Sequence, residues 1–101
     1  MKNNNLWFLA LSFICVSLNA QEDQLQKAEK LYASADFEGV IALLARVEDK
    51  SVNHYFLEGK AYYELKDFSK SIELFVRCVD LDPKNAENHY WLGASNIEAL
   101  Q

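Results

Sequence analysis

At 101 residues, half of them hydrophobic and with only three glycines and one proline, the chain has room for one small domain at most. That composition excludes collagen-like and low-complexity classes, and the apolar content argues against disorder. A formal charge of -5 and a pI near 4.9 argue against a nucleic-acid backbone or an anionic membrane surface as partner.

Residues 1–20 read as a segment apart. Lys2 supplies a positive start, Leu6 to Leu18 carries no charge, and Asn19-Ala20 precedes polar Gln21-Glu22-Asp23. This is the layout of a secretory signal peptide cut after Ala20, with Cys15 inside its apolar core. The uncharged run is shorter than the roughly 20 residues a helix needs to cross a bilayer. The expectation is therefore an exported, periplasmic or secreted protein without a stable membrane span after cleavage. The remaining chain, 21–101, holds nine basic and fifteen acidic residues, a charge of -6, and Cys78 as its one cysteine. It has no internal disulfide to lean on, so apolar burial must hold a chain of marginal size.

From Gln21 onward the pattern is helical, without strand-like alternation or a hairpin dipeptide. Leu25, Ala28, Leu31, Tyr32 and Ala35 predict a first amphipathic helix, broken near Ser34-Ala35-Asp36. Phe37, Val40, Ile41, Leu44 and Val47 predict a second, ending in the polar run Glu48 to Ser51. The third runs from Val52 to Leu65 with Ser51 as N-cap. After Lys66-Asp67, the fourth carries Phe68, Ile72, Phe75, Val76, Val79 and Leu81, and Asp82-Pro83 stops it. Asn85 caps the fifth, from Ala86 to Leu100, with Glu87 in its first turn.

The chain also repeats itself. Asp36 to Ile41 matches Asp67 to Ile72, Asn53 to Leu57 matches Asn88 to Leu92, and Gly59 matches Gly93. Offsets in the low thirties with two helices per unit predict an all-α helical-hairpin solenoid. The unit from Val52 to Asn85 resembles a tetratricopeptide repeat (TPR) in detail. Tyr55 stands at the first aromatic, Gly59 at the glycine, Tyr62 at the tyrosine, Phe75 at the second-helix aromatic and Pro83 at the closing proline, while Ser71 and Cys78 replace the two small alanines. Glu58, where the family has leucine, departs from the pattern, and Leu57 is expected to take over part of that contact. The resemblance implies about two and a half repeats in five helices, with units at about 21–51, 52–85 and an incomplete 86–101.

The bland reading suffices for most other candidates. His54 and His89 have no metal-ligand spacing around them, and Cys78 occupies a small packed position. Neither a phosphate loop nor a nucleophile elbow is present, and the acids stand as single charges. We therefore expect no enzyme activity and no cofactor. The resemblance implies instead a concave groove lined by the first helices. Its stripe would be Asn53, Phe56, Lys60, Tyr63 and Glu64 in the middle unit. In the third unit it would be Glu87, Tyr90, Ala94, Ile97 and Glu98, and in the first Glu22, Leu25, Glu29 and Tyr32. Positions 53, 56, 60 and 63 do share one helix face. Phe56, Tyr63 and Tyr90 would be apolar anchors, with Lys60 and Glu64 setting polarity. The family's carboxylate-clamp subgroup is not matched, since Phe56 and Lys60 do not fit it.

These features imply a protein–protein interaction module, a scaffold or adaptor in the cell envelope, that binds a peptide or partner helix of unidentified sequence. The alternative stays open that the chain is the N-terminal portion of a longer exported repeat protein with a signalling or enzymatic domain. A homodimer through the last helix, whose apolar residues include Tyr90, Ile97 and Leu100, is a further expectation.

Overall fold

The structure is a computed structural model describing residues 23–101, and the segment read as a signal peptide, with Glu22, lies outside these residues. Five helices follow one another, with no strand among the described residues: α1 (23–33), α2 (Phe37–Leu44), α3 (Val52–Glu64), α4 (Phe68–Leu81) and α5 (Ala86–Ala99). α2 packs on α3, α3 on α4, and α4 on α5, while α3 also touches α5. α1 reaches α3 through Tyr32, whose ring underlies Lys60. The all-α helical-repeat architecture expected from the sequence is what the chain adopts.

The two hairpin turns use one device twice. After α1, the Ala35 amide donates to Tyr32 O at 2.9 Å and the Asp36 amide to Leu31 O at 2.8 Å. After α3, Lys66 and Asp67 do the same to Tyr63 O and Tyr62 O, both at 2.9 Å. These paired bonds satisfy carbonyls that a helix end leaves free. The geometry puts Ala35 and Lys66 at φ of 64° and 66°, where a side chain is strained by about 1–2 kcal/mol. The next residue then caps the following helix: Asp36 accepts from the Gly39 amide at 3.0 Å, and Asp67 from the Lys70 amide at 3.3 Å. Ala35 therefore belongs to the turn and not to the first helix's apolar face. Val47 also lies beyond the end of α2, yet it is buried, because the loop folds it back onto the core.

α3 starts differently. The Ser51 amide donates to His54 Nδ1 at 3.0 Å, and the Ser51 hydroxyl lies 2.8 Å from the same nitrogen. The cap thus needs a neutral imidazole. Burial pulls the His54 pKa below its ordinary value, with the Lys50 charge adding to this and Glu58 opposing it. α5 is tied to α4 by Asn88, whose buried amide donates to Cys78 O and Asp82 O, both at 3.2 Å. Asn85 caps α5 by accepting from the Glu87 amide at 3.0 Å.

Two apolar centres result. The first joins Ala28 of α1, Val40 and Leu44 of α2, Val47, and Leu57 and Ala61 of α3. The second is built on Phe75, which is wholly buried with Ser71 and Cys78 on the same face of α4. Burial pushes the Cys78 thiol up to about 11, so it is a packing group without thiolate character at neutral pH.

Glycine matters at one place in this core. A Cβ on Gly59 would stand 2.9 Å from two ring carbons of Phe75, which has no room to retreat. A Cβ on Gly93, the repeat-related position, would meet nothing within 4 Å. Opposite outcomes are expected in urea unfolding followed by circular dichroism. Gly59→Ala should lose about 1–3 kcal/mol through overpacking, whereas Gly93→Ala should gain up to about 1 kcal/mol from helix propensity.

The His54 cap predicts a pH dependence. Unfolded His54 takes its proton near 6.5, while the folded form resists it until lower pH. The unfolded state then binds more protons, so stability should fall as pH drops below about 6.5 and stay level above it. Urea midpoints at pH 7.5 and 5.5 check this. The difference should shrink in His54→Gln, and an unchanged difference would contradict the cap.

Candidate interaction groove

Alternate helices α1, α3 and α5 bring their side chains to one surface, and its centre is Lys60. The Lys60 Nζ lies 4.6 Å from the ring centroid of Tyr32, 5.5 Å from Phe56 and 5.6 Å from Trp91. Three helices thus contribute one ring each to a single ammonium. Cation–π contacts of this kind contribute about 0.5–2 kcal/mol each, depending on desolvation. Among the described residues no carboxylate forms an ion pair with Lys60. Glu64, one turn further along α3, instead accepts a long hydrogen bond of 3.5 Å from the Tyr32 hydroxyl. Burial first, and then Glu64, raises the Tyr32 pKa, so the phenol keeps its proton and remains a donor.

The rings around Lys60 hold one another. Tyr63 stands edge-on to Phe68 at 5.3 Å and to Trp91 at 5.2 Å. Trp91 stacks on Phe75 at 6.0 Å and takes the edge of Tyr90 at 5.5 Å. Phe56 meets Phe75 edge-on at 5.8 Å, so it packs on the core with one side and faces Lys60 with the other. The pKa of Tyr63 is raised by burial and, less strongly, by Glu98, Tyr90 and Glu64. Edge-to-face pairs between ring centroids of about 4.5–7 Å are favourable and orientation-specific. This surface is therefore pre-formed.

Of the stripe expected from the sequence, Phe56, Lys60, Tyr63 and Glu64 come together with Tyr32 of the first unit. Tyr90 joins them through Trp91. Tyr90 is 67% exposed and Ile97 60% exposed, which makes them the free apolar side chains of α5 on this side. Ala94 is half-buried beside them. Asn53 and Glu87 lie in the first turns of α3 and α5, exposed and apart from the aromatic cluster. Leu25 is half-buried against the first core, and Glu29 is exposed. Trp91 was missing from the expected stripe although it links Tyr63, Tyr90, Phe75 and Lys60. Its place on α5 falls between the groove side and the core side, and only its large indole reaches both. The sequence did carry one signal for it: in the register that pairs Gly59 with Gly93, Trp91 stands at the place of the buried Leu57.

Comparison with known proteins adds one finding. Residues 59–98 match the family model described as TPR repeat. The matched stretch takes in all of α4 with most of α5 and the second half of α3. Neither a curated protein nor a solved structure matches the chain. Repeats of this family generally mediate protein–protein interaction and are typically non-catalytic. The paired helices, the repeated Asp36 and Asp67 caps, the Gly59–Phe75 approach and the matched model agree: residues 59–98 carry a tetratricopeptide repeat.

Proposed function

We propose that the chain is an exported interaction module, a scaffold or adaptor of the cell envelope, and that it binds a peptide or helix of a protein partner along the groove of α1, α3 and α5. The observation that carries this reading is the convergence of Tyr32, Phe56 and Trp91 on Lys60, with Tyr63 packed on Trp91, continued by the exposed Tyr90 and Ile97. Aromatic side chains held rigid beside a single charge are the composition of interface hot spots. They lose little conformational entropy on binding, because their rotamers are already fixed by one another. Lys60 gives the surface one positive point, and Glu64 and Glu98 give it a negative margin. The uncharged run Leu6 to Leu18, with Lys2 before it and Ala20 after it, supports the exported part of the reading.

Two variants test the groove without touching the core. Tyr90→Ala and Ile97→Asp alter exposed positions, so the far-ultraviolet spectrum should not change. Capture of the partner from an envelope extract by the immobilised protein should fall about tenfold or more in each. Capture unaffected by both changes would remove the groove reading. Export is checked separately: N-terminal sequencing of protein recovered from the envelope or medium should begin at Gln21, and protein found only in the cytoplasm with Met1 retained would contradict it.

A further inference from the structure

A second recess lies on another face of α3. Tyr55 is five residues from Lys60, about 140° round the helix at roughly 100° per residue. Here Lys50, Tyr55, Arg77, Asp80 and Leu81 line a cleft of about 500 Å³ between the α2–α3 loop and the end of α4. It shares Lys50, Tyr55 and Arg77 with an adjoining cleft of about 350 Å³, whose walls add Val47 and Leu74 and the ion-paired Lys70 and Glu73.

Both cations bear on the Tyr55 ring. The Arg77 guanidinium carbon lies 5.4 Å from its centroid and the Lys50 Nζ 6.0 Å from it. Arg77 Nη1 donates weakly to the Tyr55 hydroxyl at 3.5 Å, which leaves that O–H free to donate onward. Arg77 is exposed, and among the described residues no carboxylate forms an ion pair with it. Lys50 Nζ lies 2.7 Å from Glu58 Oε1, an ion pair that engages a single carboxylate oxygen. Two of its three N–H groups remain available.

Glu58 is the unexpected part. It is 6% exposed, at a position where the repeat-related residue on α5 is Leu92. A buried ion pair seldom stabilises more than an apolar pair of the same size. Its effect here is positional: Glu58 fixes the Lys50 ammonium at the mouth of the cleft, facing Arg77 across Tyr55. In a chain of net charge -5 this places three donors, Lys50, Tyr55 and Arg77, round one recess whose apolar surface is Leu81 and the Tyr55 ring.

We propose that this cleft is a binding site for a carboxylate joined to an apolar group, the carboxylate taken by Arg77, the Tyr55 hydroxyl and Lys50, and the apolar part lying against Tyr55 and Leu81. A monoanion is specified because Asp80 lines this cleft, and Glu48, Glu58 and Glu73 the adjoining one, and they oppose a second negative charge, as on a phosphate. The site is independent of the groove and of whatever binds there.

Amide-resonance titration of the full chain tests the assignment, with four probes: N-acetyl-leucine, hexanoate, acetate and N-acetyl-leucinamide. N-acetyl-leucine or hexanoate should shift the amides of Lys50, Tyr55 and Arg77 saturably, and the tighter of the two tells a peptide-like acid from an acyl acid. Acetate should bind about tenfold more weakly, and the amide should not bind. Arg77→Gln should weaken binding about tenfold or more, as loss of a charged hydrogen bond does. Tyr55→Phe, which keeps the ring, should weaken it by less. Absence of saturable shifts with both acids, an equal response to the amide or to acetate, or unchanged binding in Arg77→Gln would overturn the proposal.

Discussion

The close approach of Phe75 to Gly59 sets the geometry on which the rest of the chain depends. The ring occupies the space in which any other residue at position 59 would carry its side chain. α3 and α4 therefore come nearer here than a residue with a Cβ at position 59 would allow, and Phe75 is completely enclosed. The same ring is then within reach of Phe56 on one side and of the Trp91 indole on the other. Trp91 in turn fixes the distance of α5 and orients Tyr63 and Tyr90. The aromatic floor of the groove is in this sense the reverse side of the core. A change at Gly59 or Phe75 should reach the groove through these rings, even though neither residue faces it.

α3 carries two lysine sites solved in different ways. Lys60 is held by ring faces from α1, α3 and α5, which satisfy an ammonium without supplying a counter-charge. It joins three helices and still presents net positive charge to the groove. Lys50, just ahead of α3, is held by Glu58, which neutralises it in a partly buried setting. Its remaining donors matter only where a second cation, Arg77, stands beside it. One surface is thus aromatic with a single charge, and the other is a lined recess of donors. The two ask for different ligands, although both grow from the same thirteen-residue α3 and the loop before it.

Much of this was legible in the sequence, and the physical reason is periodicity. Caps recur because both hairpins close with the same turn, so Asp36 and Asp67 stand at matching places, and Asn85 starts α5 as its side chain predicts. Phe56, Lys60, Tyr63 and Glu64 share a face because three- and four-residue steps return to the same side of a helix. What escaped were features that depend on reach and on loop path. Trp91 sits at the margin of two faces, and only the length of its side chain brings it to Lys60. Val47 looked like a continuation of the second helix, whereas a turn after Leu44 folds it back into the core. Glu58 read as a departure from the family pattern, because its partner comes from a non-periodic loop whose course a pattern of spacings does not contain. Ala35 and Lys66 take a left-handed backbone without glycine, so the residue that usually marks such a turn is missing.

The differences between α3 and α5 fall unequally on the two faces of these helices. On the side of α3 that receives α4, the chain places Tyr55, Gly59 and Tyr62. The related positions on α5 are His89, Gly93 and Asn96, all exposed. Histidine and asparagine tolerate water where tyrosines were covered, and the His89 ring is occupied locally, with Nε2 2.6 Å from Pro83 O. On the groove side the substitution runs the other way. Phe56 and Tyr63 correspond to Tyr90 and Ile97, still large and apolar, although nothing among the described residues buries them. Had α5 merely lost a neighbour, its bare apolar surface would lie on the side that α3 shows to α4. Apart from Leu100 at the helix end, it lies instead on the face where Tyr90 meets Trp91 and approaches Tyr63, the face that the proposed groove reading assigns to a ligand.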